Sequence, residues 1–138
     1  MSLVRVLVVD DFEDWRKFVL SVLKQESGFD IVGEAEDGLK AIQLAEKLKP
    51  CVVVLDVSLP GINGVEACRW IGKVTPDTRI VFLSEHSDRE IVKAALNAGA
   101  VAYVAKSDAA SDLLAAIHAV ARGERYLSRR ISELQTGD

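Results

Sequence analysis

The sequence predicts an open α/β fold, a doubly wound parallel sheet of five strands with helices on both faces, and two observations predict it. Short aliphatic runs alternate five times with longer segments whose apolar residues fall three and four apart. The runs are also nearly continuous in apolar character, as expected of strands buried on both faces.

The first strand is read over residues 3–9 (LVRVLVV), followed by a helix whose apolar stripe is Trp15, Phe18, Val19, Val22 and Leu23. The second strand covers 30–35 (DIVGEA), and its helix carries Leu39, Ile42, Ala45 and Leu48 at the same spacing. Three further strands are read over 52–55 (VVVL), 79–83 (RIVFL) and 101–105 (VAYVA), each followed by a helix. Asp37, Asn63 and Ser87 are expected N-caps, and Glu66 and Glu90 stand three residues after the last two, the spacing of a capping box. Gly28, Gly99 and Gly123 fall where helices are expected to stop.

A chain of 138 residues, 49% hydrophobic and 28% charged, suits one compact domain with a sizeable core. The net charge of -4 and pI near 5.2 argue against a nucleic-acid or anionic-membrane binder, which depends on a basic surface. Small cations are better guests. Cys51 and Cys68 have neither metal-site nor Cys-x-x-Cys spacing and are expected as reduced core residues. The N-terminal apolar run is too short for a signal peptide or a membrane span, so cytoplasmic residence is the expectation. Trp15, Trp70, Phe18 and Phe29 are read as packing residues, and His86 and His118 as surface groups.

The third run, VVVL, leads straight into Asp56, a costly place for a lone charge unless it sits at a strand end or does chemistry. In doubly wound sheets functional groups collect at the carboxyl ends of the strands. There the first strand delivers Asp10 and Asp11, the third Asp56, the fourth Ser84 and the fifth Lys106. Three converging carboxylates repel one another unless a cation joins them, and an all-oxygen donor set suits Mg²⁺ or Mn²⁺. Carboxylates, a divalent cation, an ammonium and a hydroxyl together are what phosphoryl transfer to an aspartate requires.

The motifs VVDD (8–11), LDVSLPGING (55–64), FLS (82–84) and AYVAKS (102–107), in this order at the ends of strands one, three, four and five, resemble the receiver domains of two-component response regulators. The resemblance covers about residues 4–122 and implies a flavodoxin-like (βα)5 fold with strand order 2-1-3-4-5. It implies that Asp56 accepts a phosphoryl group from a histidine kinase. Asp11 is the implied direct Mg²⁺ ligand, Asp10 its partner through water, and the Ser58 carbonyl a further ligand. Lys106 is the implied phosphoryl-binding lysine, and Ser84 and Tyr103 the implied switch pair, the hydroxyl moving to the phosphoryl group and the aromatic ring turning inward to fill the space vacated. Ser58, Glu85 and His86 occupy positions that tune access, and Pro60 and Gly64 shape the loop after the acceptor. The expected output is a changed surface around the fourth helix, fifth strand and fifth helix, with a phosphorylation-dependent homodimer admitted.

Each residue has a blander reading. Asp10 and Asp11 would serve as helix caps, Lys106 as a surface lysine, Ser84 as a cap and Tyr103 as a strand aromatic; their joint placement favours the site. The GING turn lacks the basic company of an RNA-clamping loop, and no nucleotide-binding glycine signature occurs. Phosphatases of the haloacid dehalogenase type also phosphorylate an aspartate, but they carry a second aspartate two residues on, where this chain has Ser58.

Two positions depart from the receiver pattern. Glu85 stands where a small residue is usual, and either obstructs an anionic donor or answers Lys106, or else points to solvent and pairs with Arg89. Ser107 stands where many receivers have a proline in a cis peptide, so a trans bond is expected. Composition changes near Arg122: residues 1–121 carry 13 basic and 18 acidic side chains, residues 122–138 carry 4 and 3. The receiver is therefore bounded at 1–122, with 123–138 as a tail. The stretch ARGERYLS resembles the receiver end of LuxR-type regulators, where a linker leads to a DNA-binding helix-turn-helix. That output domain is absent from this chain, which is read as an excised receiver, with a natural single-domain regulator as the alternative. No DNA binding by the chain itself is expected.

Overall fold

The computed structural model describes residues 3–136. The elements run β1 (Val4–Val9), α1 (Glu13–Leu23), β2 (Phe29–Ala35), α2 (Gly38–Leu48), β3 (Val52–Leu55), α3 (Gly64–Val74), β4 (Arg79–Ser84), α4 (Arg89–Asn97), β5 (Ala102–Ala105), α5 (Ala109–Ala121), β6 (Tyr126–Leu127) and α6 (Arg129–Thr136). All strand pairs are parallel and the order is β2-β1-β3-β4-β5-β6. The expected five-stranded order is present with a sixth strand added at its β5 edge.

Strand β3 shows why the runs read as they do. Its four residues are at most 2% exposed. Side chains alternate across a strand, so Val53 and Leu55 join Leu7, Val9 and Phe82 beneath α2, α3 and α4, while Val52 and Val54 join Val6, Val8, Val81 and Leu83 beneath α1 and α5. The sheet is thus covered on both sides, and its strand order reverses between β1 and β3, opening a crevice at their carboxyl ends.

Two expected caps form: Asp37 Oδ1 accepts from Lys40 N at 2.8 Å and Asn63 Oδ1 from Glu66 N at 3.0 Å. Ser87 does not cap its helix. The N–H and the carbonyl of His86 are each held by a side chain described below, so the loop runs one residue further and Asp88 takes the N-cap position. Gly99 and Gly123, at φ of 115° and 85°, follow α4 and α5 as expected. Gly28 does not end α1, which stops at Leu23 with Lys24 as C-cap; its carbonyl instead accepts Val4 N at 2.9 Å.

Two further expectations need correction. Cys51 is exposed, because it lies before β3 rather than in it, whereas Cys68 is buried. Trp70 is 46% exposed, with Lys73 Nζ 4.8 Å from its ring centroid, so it is a surface residue of α3 rather than a packing one. Residues 126–136 of the expected tail continue the fold. Leu127 pairs with Tyr103, Ile131 is fully buried against the same core as Phe82 and Tyr103, and Arg89 Nε donates to the Leu134 carbonyl at 2.8 Å. A two-residue strand has no periodicity to read, and α6 contributes one deep apolar anchor. The end of the chain at 137–138 lies outside the described residues.

Glycine matters most where α3 starts. A Cβ on Gly64 would meet the Asp56 carbonyl oxygen at 2.0 Å and Val57 Cα at 2.8 Å, backbone atoms that have no way to give. Gly72 sits exposed in the same helix with nothing within 4 Å. Gly64→Ala should therefore lower stability by about 3 kcal/mol or more by overpacking, whereas Gly72→Ala should raise it by roughly 0.5–1 kcal/mol through helix propensity. Thermal denaturation of the two variants measures both signs.

Candidate functional site

The crevice is built by residues that leave their strands at the same rim. Asp10 follows β1 and Asp56 follows β3, while Ser84 closes β4 and Lys106 follows β5. Backbone pairing aims them: Asp56 N donates to Val9 O at 3.1 Å and Asp10 N to Ala35 O at 3.1 Å, so each carboxylate is clamped at its root by a neighbouring strand. Asp10, Asp56 and Lys106 are 3%, 5% and 8% exposed, whereas Asp11 is exposed.

Lys106 crosses the rim to the acids. Its Nζ lies 2.9 Å from Asp10 Oδ2 and 3.4 Å from Asp56 Oδ2, and 4.7 Å from the centroid of the Trp15 ring. Asp10 is fully engaged, because its Oδ1 also accepts from Phe12 N at 2.9 Å. Asp56 is held more loosely: Ser58 N approaches its Oδ1 at 3.4 Å. Burial pushes the Asp56 carboxyl up from 3.8 to about 6; the Lys106 charge opposes the rise and the Asp10 charge adds to it. One carboxylate oxygen each from Asp10, Asp11 and Asp56 lie within 4.8 Å of one another. Lys106 offsets one negative charge of three, so the donor set fits a hard divalent cation in chemistry and in spacing.

The helix-cap reading of Asp10 and Asp11 does not account for this. Phe12 is the N-cap of α1 and no side chain caps that helix; Asp10 makes a turn with Phe12 N instead. Arg16 locks the turn from below, with Nη1 donating to Asp10 O at 2.7 Å and Nε meeting Glu34 Oε1 at 3.1 Å.

On the far side of the rim, the backbone of one residue is gripped at both its N–H and its carbonyl. His86 N donates to Ser84 Oγ at 3.0 Å, and Tyr103 Oη donates to His86 O at 2.6 Å. The Tyr103 ring is fully buried beside Phe82, their centroids 5.8 Å apart, and burial pushes its hydroxyl up to about 12. The exposed His86 ring reaches back across the mouth, Nε2 lying 2.7 Å from Ser58 Oγ. Glu85 is exposed and lines, with Asp11, Phe12, Asp56, Ser58, His86 and Lys106, a cleft of about 110 Å³. Arg89, the partner considered for Glu85, directs its Nε to Leu134 O.

Of the nine site residues expected from the sequence, Asp10, Asp11, Asp56, Ser58, Glu85, His86 and Lys106 thus surround one crevice, and the buried Ser84 and Tyr103 reach it through the His86 backbone. Pro60 and Gly61, the latter at φ 74°, turn the loop after Asp56, and Gly64 N closes it on Val57 O at 2.7 Å. The peptide before Ser107 is trans, and Lys106–Asp108 forms a 3₁₀ turn. Three contributors escaped the sequence reading. Trp15 packs against Lys106, and Asp108 and Ser128 brace the lysine's loop, Ser128 Oγ accepting from Ala105 N at 3.0 Å and donating to Asp108 Oδ2 at 2.8 Å. The only local signals were the Lys-Ser-Asp run and the Tyr-Leu-Ser run, which carry no mutual spacing rule.

Comparison with known proteins identifies the family. Residues 6–118 match the family described as response regulator receiver domain. Among curated proteins the chain is similar to the transcriptional regulatory protein DegU of Brevibacillus brevis, 34% identical across 94% of this chain and 55% of that protein. It is likewise similar to the response regulator GacA of Pseudomonas protegens, 36% identical across 95% of this chain and 62% of that one. The chain therefore spans only about three fifths of the length of these relatives. Among solved structures, a LuxR-family two-component response regulator from Aurantimonas aligns with TM-score 0.91 at 33% identity, over 96% of this chain and 94% of that one. The isolated receiver of RcsB from Salmonella enterica, solved with the phosphomimetic BeF3-, aligns with TM-score 0.90 at 26% identity, over 96% and 99%. With its acidic crevice, its strand-end lysine and these likenesses together, the chain belongs to the response regulator receiver domains of two-component signalling.

Proposed function

We propose that this receiver takes a phosphoryl group from a histidine kinase onto Asp56 in a reaction dependent on Mg²⁺ or Mn²⁺. The single observation that carries the reading is Lys106 Nζ set between the buried carboxylates of Asp10 and Asp56, with Asp11 beside them at the mouth. Asp56 is the acceptor because it is the less engaged of the two buried acids, each oxygen meeting only one partner, at 3.4 Å. Its carboxylate oxygen attacks phosphorus, the phosphorus–nitrogen bond of the donor phosphohistidine breaks, and the leaving imidazole keeps that electron pair and takes a proton. Lys106 then holds a phosphoryl oxygen.

Asp10, Asp11, Asp56 and the Ser58 carbonyl would hold the cation, with Asp11 as direct ligand and Asp10 acting through water. The hydrogen bonds already made by both Asp10 oxygens favour that division. When bound, the cation neutralises charge on the phosphoryl group and on the acids. Ser84 leaves His86 N to donate to the phosphoryl group, so the loop before α4 loses one of its two grips; the inward turn that the resemblance implies for Tyr103 needs no movement from this form, whose ring is already fully buried. The altered face around α4, β5 and α5 then acts on an output domain outside these residues, a protein partner or a second copy. Transcriptional control is the output we infer, because the relative DegU is named a transcriptional regulatory protein. Residence in the cytoplasm belongs to the same proposal; among the described residues no helix is long and apolar enough to cross a membrane.

A second reading has a specific observation behind it: Glu85 shares the small cleft with Asp56 and Lys106. In that reading its charge slows capture of small anionic donors, leaving an interaction module that is poorly phosphorylated.

Intact mass spectrometry after incubation with Mg²⁺ and a phospho-donor should detect one phosphoryl adduct, lost in Asp56→Asn and without Mg²⁺; steady turnover of phosphate esters would favour the phosphatase reading instead. In Glu85→Ala the rate of labelling by acetyl phosphate should rise about fivefold, the effect of one charge roughly 4 Å away in water; an equal rate would remove Glu85 from the account. A third outcome concerns pH in metal-free protein. Since the folded-state value of Asp56 lies above its ordinary value, protonation favours the native state: the stabilisation is complete below about pH 4 and is lost as pH rises through 6. Asp56→Asn should thus exceed wild type in stability at pH 7.5 by about 2 kcal/mol in EDTA, after allowance for solvent at the cleft mouth, and the gap should close at pH 4, as denaturant melts at both values will record.

A further inference from the structure

Lys106 needs a rigid root, because its ammonium meets two carboxylates at the end of a long, flexible side chain. The strand that supplies it, β5, ends at Ala105, and the neighbouring β6 ends earlier, with Leu127 opposite Tyr103. Ser128 N donates to Tyr103 O at 3.0 Å, after which the chain turns into α6 and leaves the next donor of β5, Ala105 N, without a backbone partner. The hydroxyl of Ser128 takes its place. Ser128 Oγ, fully buried, accepts from Ala105 N at 3.0 Å and donates to Asp108 Oδ2 at 2.8 Å. The same Asp108 oxygen accepts Arg130 N at 2.8 Å, the first turn of α6, and Asp112 Oδ2 accepts Arg129 N at 3.0 Å. One hydroxyl therefore ties the residue before Lys106 to the residue two after it, and fastens both to α6.

We propose that Ser128, acting with Asp108, is a positioning residue that sets the Lys106 ammonium at the acidic crevice, so that the segment after the matched family region completes the site. The inference rests on the phosphoacceptor reading for its chemical consequence, but not for the placement of the lysine itself. Residues 126–136 lie beyond the 6–118 stretch that matches the receiver family, and a two-hydrogen-bond clamp flanking the lysine is more than packing of a terminal helix requires. Removing the hydroxyl strands the buried Ala105 N–H and takes from Asp108 Oδ2 one of its two donors, leaving only Arg130 N, so the restraint on the 3₁₀ turn that carries Lys106 weakens.

Trp15 makes the placement measurable without phosphorylation, since its ring lies 4.7 Å from Lys106 Nζ. In a Trp70→Phe background Trp15 is the single tryptophan, and Lys106→Ala defines the emission of Trp15 without its cation. Ser128→Ala and, as a second route should that variant fold poorly, Asp108→Asn are expected to move the emission toward the Lys106→Ala value. Ile131→Val, which trims the buried anchor of α6 away from the clamp, is expected to lower the melting temperature with the emission unchanged. In acyl phosphate formation with Mg²⁺ and a phospho-donor, Ser128→Ala is expected to run about tenfold slower, as a misplacement of well under 1 Å produces. Wild-type emission in both clamp variants, or an equal emission shift in Ile131→Val, would overturn the proposal. If no protein, wild type included, forms an adduct, the phosphoacceptor reading fails, and the emission comparison still decides the role of Ser128.

Discussion

A single buried ammonium holds this site in its form. Asp10 and Asp56 are drawn into the rim by backbone bonds to neighbouring strands, and two carboxylates so placed repel each other and resist burial. Lys106 makes their proximity tolerable, but it is itself buried, and an ammonium out of water is costly unless its partners are well placed. Each of the three groups is thus viable only because of the others. The lysine is divided unequally, close to Asp10 and longer to Asp56, so the first acid is held tightly and the second loosely.

That constraint explains features that lie well away from the acids. The strands must be buried on both faces to fix the depth of the rim, hence the aliphatic runs; the turn after Asp56 must press against α3 so closely that Gly64 has no room for a Cβ. The apolar body of Trp15 covers one side of the lysine while its ring face attracts the charge. On the opposite side, Ser84 and Tyr103 hold the backbone of His86 between them, so hydrogen bonds join the rim to the loop before α4. The Ser58 to His86 contact closes the same loop pair over the mouth.

The parts of the site that were legible in the sequence are those governed by local rules. VVVL followed by Asp56 reads as a buried strand with a charge at its end because period and polarity are both local, and the same holds for VVDD, FLS and AYVAKS. Caps were legible where the loop is short, at Asp37 and Asn63, and misread at Ser87, where a tertiary grip on His86 lengthens the loop. Trp70 and Cys51 were misassigned for a related reason. Their chemistry is apolar, yet which side of a helix faces the sheet, and where a strand begins, depends on what packs there.

Local sequence sufficed for the parallel alternating architecture and the residue types at each strand end, because strand burial and the step from strand to loop are written within a few consecutive residues. How those ends meet emerges in three dimensions: Lys106 favours Asp10 over Asp56, Trp15 shelters it, and β6 and α6 return to brace β5. These contacts join residues separated by tens of positions, such as Ala105 and Ser128 or Lys106 and Asp10, and no periodicity links them. Their energies arise from burial and hydrogen-bond geometry that exist once the sheet has closed around the crevice.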